Sequence, residues 1–194
     1  MQIKALSAAC LALALSACVS IGAGGDPPES LLTLTPASSA PAGAGTDGDM
    51  ATALSVTLPS VPQRLNAVRV PVKVSDSSLA YLQDAFWVEK PAALFQRLVA
   101  ETIRARGSRL VVGGGELEYA AQTQLAGDLV AMDYDASRGE VVVIYDAVLR
   151  LPDGNVRTQR FESTASAAPD AASVGPALNR AANDVATQVA DWVG

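Results

Sequence analysis

The spacing of apolar residues changes along the chain, and this change constrains the fold more than any other feature. Alternate residues are valine over Val68–Val74, which is typical of a half-buried β-strand, and Pro71 places that strand at an edge or a bulge. Over Pro91–Arg106 apolar residues recur at three- and four-residue intervals, which predicts a helix that ends at Gly107. A second stripe with helical spacing covers Val174–Trp192.

Further strand patterns lie on both sides of the first helix. They cover residues 79–88, 109–112, 117–125, 140–151 and 156–165. The fourth of these is apolar on both faces, which is typical of a central strand. Pro176 is expected in the first turn of the last helix, where its missing N–H costs no hydrogen bond. We therefore predict an α+β fold, with an antiparallel-rich mixed sheet of about five to six strands and two long helices packed on one face.

The N-terminus has the pattern of an export signal. Met1–Lys4 carries a positive charge, and the apolar stretch Ala5–Leu15 is too short to cross a bilayer. The following Leu15-Ser16-Ala17-Cys18 resembles a bacterial lipobox. The resemblance implies that residues 1–17 are a lipoprotein signal peptide and that Cys18 receives S-diacylglycerol and an N-acyl chain such as palmitate. The alternative is a buried N-terminal helix with an incidental cysteine.

The residue after the cysteine bears on localisation. In the sorting rule of enterobacterial lipoproteins, Asp at this position retains a protein at the inner membrane. Val19 therefore favours the outer membrane, with the domain facing the periplasm. The inner membrane is the alternative where sorting differs from that rule.

Composition divides the rest of the chain into a linker and one domain. Residues 18–53 are rich in Gly, Pro, Ser and Ala and predict a flexible tether and linker, with a short strand at residues 31–35. Residues 54–194 hold the periodic segments and predict a single α+β domain.

The residue types that are missing exclude several classes of function. The chain has no histidine, which excludes a Ser-His-Asp triad, and its two cysteines are Cys10 and Cys18. The net charge of −6 lacks the basic character of nucleic-acid-binding proteins. We predict no catalytic residues, no cofactor, no metal and no nucleic-acid partner.

Three short patterns resemble known sites, and each has a more ordinary interpretation. Gly113–Gly115 lacks the Lys-Ser/Thr of a phosphate loop and favours a bulge or kink between strands. Asp133–Gly139 resembles the start of a calcium loop, but its glycine is misplaced, which favours a hairpin turn. Glu116 and Glu118 share one strand face without a sugar-binding aromatic nearby, which favours a solvated face.

The aromatic residues are the remaining candidates for a binding site. Tyr81, Phe86 and Trp87 precede the first helix, and Trp192 ends the second. They form either a contact surface for a partner or lipid, or the filling of a core that has few other aromatics.

With these elements placed, the chain resembles the ABC-type transport auxiliary lipoprotein component family, the PqiC-like lipoproteins. The resemblance spans most of the mature chain. Besides Cys18, it rests on Leu31–Pro36, Val68–Val74, Leu79-Ala80-Tyr81, Phe86–Pro91, Leu178–Ala181 and Ala190–Val193. The chain departs from the family at Leu31-Leu32, where relatives carry an aromatic residue, and in the length of residues 36–53.

The resemblance implies a non-catalytic subunit of an MCE-type ABC system that transports phospholipids or other hydrophobic molecules. Its partners would be the MCE-domain protein, which forms a conduit, together with the permease and the ATPase. The lipoprotein would dock the conduit at the outer membrane. One alternative is a lipoprotein that itself binds a lipid or acyl chain. A weaker alternative is a surface hydrolase, and formation of a homo-oligomer also stays open.

Overall fold

The computed structural model describes residues 30–113 and 120–194. In these residues the chain forms seven strands and two α-helices. The strands are β1 (Leu54–Val56), β2 (Arg69–Ser75), β3 (Ser78–Phe86), β4 (Val111–Val112), β5 (Thr123–Asp135), β6 (Glu140–Arg150) and β7 (Val156–Ser166). The helices are α1 (Pro91–Ala105) and α2 (Ala171–Val193), and a short 3-10 turn (Gln63–Leu65) precedes β2.

The long strand β5 joins the parts of the sheet. One edge of β5 pairs antiparallel with β6, which pairs in turn with β7. On the other edge, the first residues of β5 pair in parallel with β1, which also pairs with β4. The last residues of β5 pair in parallel with β2, which pairs antiparallel with β3. In the described residues β3, β4 and β7 are therefore the outer strands.

Both helices pack on one face of the sheet, where the core lies. Side chains of β6 alternate between buried and half-buried, as expected for a strand with one face under the helices. The ring of Phe95 on α1 packs against that of Tyr145 on β6, with 5.1 Å between centroids. The apolar stripe of α2, including Leu178 and Val185, is fully buried. The apolar residues that recur at helical spacing in the sequence are therefore those that pack in the core.

The predicted α+β class, the mixed sheet and the two helices on one face are confirmed, and the strand count is corrected from about five to six to seven. The difference arises from β1, because a segment of three residues contains too few positions to show an alternation. It forms a strand because β5 and β4 supply its pairing partners.

The start of α2 differs from the prediction. Asp170 caps the helix, because its carboxylate accepts a hydrogen bond from the backbone N–H of Ser173 at 2.8 Å. The helix therefore begins at Ala171, and Pro176 lies in its second turn rather than its first. The missing N–H of Pro176 leaves the carbonyl of Ala172 without its helical partner, one bond lost near an end of a long helix.

Residues 30–53, assigned from the sequence to the tether and linker, contact both helices. Leu32 pairs in parallel with Trp87, next to the end of β3. The backbone N–H groups of Thr35 and Ala37 donate to Asn179 Oδ1 and Asn183 Oδ1 of α2. Farther along, the N–H of Ala40 donates to Glu101 on α1. Two asparagines that share one face of α2 therefore hold this segment across the helix.

Candidate functional site

A bulge in β3 places two of the predicted aromatic residues on the same side of the sheet. Tyr81 pairs with Pro71 and Phe86 pairs with Arg69, so four residues of β3 lie opposite the single residue Val70. Within this bulge Asp84 has a φ of 54°, which is rare for a residue with a side chain. Strict alternation would put residues five apart on opposite faces. The bulge instead leaves both rings within reach of one guanidinium.

That guanidinium belongs to Arg69. Its central carbon lies 5.1 Å from the centroid of the Tyr81 ring and 5.7 Å from that of Phe86. Both distances are in the range of cation–π contacts. The Tyr81 hydroxyl contacts the carbonyl oxygen of Arg64 at 3.4 Å. Tyr81 and Phe86 therefore belong to a surface cluster whose centre is an arginine that the sequence analysis did not single out.

Trp87 has a different environment, because it is a core residue. Only 2% of its surface is exposed, and its backbone N–H donates to the carbonyl of Val68. Its indole Nε1 is buried without a hydrogen-bond partner. The neighbouring Leu32 side chain reaches α2, where it would lie 2.6 Å from a Cβ added to Gly175. Trp87 is thus part of the hydrophobic core and is not available as a contact surface.

Trp192 lies at the other end of α2. Its ring packs edge-on against Phe161 of β7, with 5.7 Å between centroids, and the Arg157 guanidinium lies 4.9 Å above it. Seventeen residues of helix separate it from Gly175, a rise of about 25 Å. The structure therefore brings Tyr81 and Phe86 together and leaves Trp192 in a separate cluster. Cys18 lies outside the described residues.

Exposed apolar side chains concentrate around β3. Of the eight large apolar residues that are exposed in the described part of the chain, six lie at Leu31 or between residues 68 and 88. Register and alternation place most of these on the face opposite the helices, together with Phe86. We call this set the β3 apolar surface; its members are Leu31, Leu79, Tyr81, Phe86 and Val88.

A groove runs along α1 and has a volume of about 600 Å³. Its floor is apolar and includes Leu34, Val56 and Leu98, whereas its rim carries Arg97 and Arg104. A groove with an apolar floor and a cationic rim could hold an acyl chain with an anionic headgroup.

The two arginines of this rim already have carboxylate partners. Arg97 forms a bidentate ion pair with Glu89, and its hydrogen bonds hold the pKa of that carboxyl below the ordinary value. Arg104 pairs with Glu101 at 2.6 Å, one turn earlier on α1. An anionic ligand would therefore compete with these carboxylates for the guanidinium groups.

The acidic segment that resembled a calcium loop forms a hairpin turn. Asp135 accepts hydrogen bonds from the hydroxyl and N–H of Ser137 and from the N–H of Arg138, which lower its pKa. Asp133 turns away and pairs with Arg64 at 2.9 Å. Burial raises the pKa of Asp133, and Arg64 opposes that rise. No group of three or more acidic or cysteine side chains suited to a metal occurs in residues 30–113 and 120–194.

A sequence model of one protein family covers most of this fold. The model describes the ABC-type transport auxiliary lipoprotein component and matches residues 32–190, from the segment beside Trp87 to the last turns of α2. The chain belongs to this family. As an auxiliary lipoprotein component it is associated with an ABC transport system. The match begins within the segment that precedes β1, which is consistent with the contacts of that segment with α2.

Solved structures share the fold of this auxiliary lipoprotein. The crystal structure of protein XCC0632 from Xanthomonas campestris, of family DUF330, aligns with a TM-score of 0.68 at 18% identity, covering 84% of this chain and 94% of that one. A second crystal structure, of an uncharacterized protein, aligns with a TM-score of 0.64 at 15% identity, covering 77% and 97%. At these identities the likeness shows the fold alone. No curated protein matches the chain.

None of the helices in the described ranges combines the length and the hydropathy that crossing a membrane requires.

Proposed function

We propose that this auxiliary lipoprotein is a non-catalytic outer-membrane subunit of an MCE-type ABC system that moves phospholipids or other hydrophobic molecules across the envelope. In this function the domain docks the periplasmic MCE conduit at the outer membrane, and the ATPase and permease supply energy and passage. The observation that carries the proposal is the family match over residues 32–190.

The proposed anchor is acylated Cys18, with Val19 directing the protein to the outer membrane. Ser30, the first described residue, lies twelve positions after Cys18, a separation of at most ~43 Å when the chain is extended. A domain of this size has a radius of gyration of about 15 Å. The domain therefore stays near its own membrane. A partner that crosses the periplasm has to come to it, and a tether that concentrates the docking surface makes weak contacts sufficient.

Photocrosslinking in cells tests the docking. A photoreactive residue is placed at exposed positions in turn, including Arg97 on the rim of the α1 groove and Thr158 on β7. We expect at least one contiguous set of positions to trap an MCE-domain protein. A Cys18→Ala version is the control, and it should lose both membrane fractionation and the crosslink. The docking proposal is wrong if a dense scan traps no MCE-domain protein while the Cys18→Ala version fully restores the envelope barrier.

The α1 groove supports a second candidate, in which the domain itself binds a lipid or acyl chain. Ala100 lines this groove, whereas Ala93 on the same helix does not. Native mass spectrometry of the intact Cys18→Ser chain should then show a co-purifying lipid. An added Ala100→Trp substitution should remove that lipid by filling the groove, and the matched Ala93→Trp substitution should retain it. A chain that carries no lipid before either substitution would exclude this candidate.

A further inference from the structure

The outer edge of β3 is unusual for the edge of a β-sheet. Leu79 is 56% exposed and Tyr81 is 37% exposed, and both lie on a nine-residue outer strand. Exposed apolar edge strands promote aggregation, and soluble proteins normally protect them with charges or cover them. Something that is not part of the described chain is therefore expected to cover the β3 apolar surface.

The path of the chain indicates what that cover is. Leu32 pairs with Trp87, and its N–H donates to the carbonyl of Phe86 at 2.7 Å. The chain therefore enters the domain beside the β3 apolar surface, and Leu31 is itself a member of that surface. The twelve residues between Leu31 and Cys18 limit the distance to the anchor to roughly 45 Å. A membrane that holds Cys18 is thus within reach of this surface.

Part of the charge around this surface is paired. Lys73 lies 3.2 Å from Asp76 and 3.8 Å from Asp135, and Lys90 donates to Asn66. Arg69 lies over aromatic rings and offers an aliphatic stem beside its charge. A surface of this kind suits the interfacial region of a bilayer through apolar contact, without a requirement for anionic lipid.

We propose that the β3 apolar surface contacts the bilayer that holds the acylated Cys18 and so fixes the orientation of the domain on the membrane. This inference rests on the anchor of the proposed function. It goes beyond that function because it assigns a lipid-facing side to the domain, leaving the α1 groove and β7 for other contacts.

Site-specific fluorescence quenching in vesicles tests the inference. The processed chain has lost Cys10, and its Cys18 thiol is consumed in a thioether, so a Leu79→Cys substitution supplies a single reactive thiol. The lipidated protein is labelled there, reconstituted into phosphatidylcholine vesicles and exposed to quencher-bearing lipids. Gln159→Cys, an exposed position on β7, is the matched control. We expect quenching at position 79 to exceed that at position 159 by at least about threefold.

Each outcome distinguishes the inference from the proposed function. Mass spectrometry of the intact protein is recorded first, and a mass without the lipid at Cys18 overturns both. Equal and weak quenching at the two positions of a lipidated protein overturns only the membrane contact. A photoreactive residue at position 81 that traps a discrete protein, combined with an unquenched label, assigns the surface to a protein partner instead. Replacing a third of the phosphatidylcholine by phosphatidylglycerol should change quenching by less than about twofold.

Discussion

β3 and β7 are both outer strands of one sheet, yet their exposed side chains differ in character. β7 has the sequence VRTQRFESTAS, with Phe161 as its buried residue, and its Arg160 forms two hydrogen bonds with Asp146 of β6. β3 has the sequence SLAYLQDAF and exposes Leu79 and Tyr81. Apart from Val156 at its start, β7 exposes mainly charged and hydroxyl side chains, which protect its edge. The exposed side of β3 is more apolar at Leu79 and Tyr81, and its polar residues and its bulge are concentrated near Asp84.

The two outer strands also differ in how they pair with the rest of the sheet. β7 pairs with β6 over its whole length, from Glu140 opposite Ser166 to Arg150 opposite Val156. β3 pairs with β2, and the backbone pairing of β2 with β5 is short, at Val72 and Lys73. The β3 side therefore depends more on side-chain packing, above all that of Trp87, than on a continuous backbone ladder. This difference can be tested by substitutions. The largest loss in the free energy of unfolding is expected in β5, which joins the β3 side to the β7 side.

Gly127→Ala should destabilise the sheet on both edges of β5. Gly127 lies in β5 with a φ of +154°, and an added Cβ would lie 2.1 Å from the backbone oxygen of Asp146. The backbone of β6 cannot move away without breaking the ladder. We expect a loss of at least about 3 kcal/mol in the free energy of unfolding, measured by urea denaturation. Gly113→Ala, with nothing within 4 Å, is the control and should change little.

Trp87→Ala and Trp192→Ala compare the aromatic anchors of the two sides. Trp87 is fully buried, and its removal should cost about 3–5 kcal/mol. Trp192 is partly buried at the end of α2, and its removal should cost about 1–2 kcal/mol. Urea denaturation followed by circular dichroism measures both. Equal losses would contradict the view that packing holds the β3 side more than the β7 side.

The pH dependence of stability should contain a contribution from the β5–β6 turn. Hydrogen bonds from Ser137 lower the pKa of Asp135 in the folded protein, so its contribution is complete above the ordinary value of 3.8. As the pH falls through the lowered pKa, the carboxylate is protonated and that contribution is lost. We expect Asp135→Asn to flatten the acid limb of a plot of stability against pH. An unchanged acid limb would show that this turn does not depend on the charge.

The smallest effect on stability is expected at Leu79. Because its side chain is exposed, Leu79→Ser should change the free energy of unfolding by less than about 0.5 kcal/mol. The same substitution should reduce self-association of the Cys18→Ser chain, measured by sedimentation velocity at high concentration. Gln159→Leu on β7 should increase association, because it removes a polar side chain from a protected edge. If neither Leu79→Ser nor Gln159→Leu changes self-association, the proposed difference between the edges of β3 and β7 is wrong.

Periodicity predicted both helices because each has one buried face, and α1 is observed over Pro91–Ala105 against a predicted helix over Pro91–Arg106. It placed β5 less well, because the pattern covered residues 117–125 whereas the strand is Thr123–Asp135. The candidate site was less predictable. The sequence left open whether the aromatics before α1 form a contact surface or fill the core. In the structure Tyr81 is exposed, Phe86 is half-buried and Trp87 lies in the core, although all three are aromatic and close together in the sequence.

The amino-acid sequence by itself determined the α+β class, the two amphipathic helices and the resemblance to auxiliary lipoproteins, because those depend on local spacing and composition. Only the tertiary structure decided that β5 serves two groups of strands, that Asn179 and Asn183 hold the segment before β1, and that a bulge places Tyr81 and Phe86 beside Arg69. These features depend on pairings between residues far apart in the chain. Local patterns carry no information on which distant backbone groups meet, because many partners satisfy the same alternation.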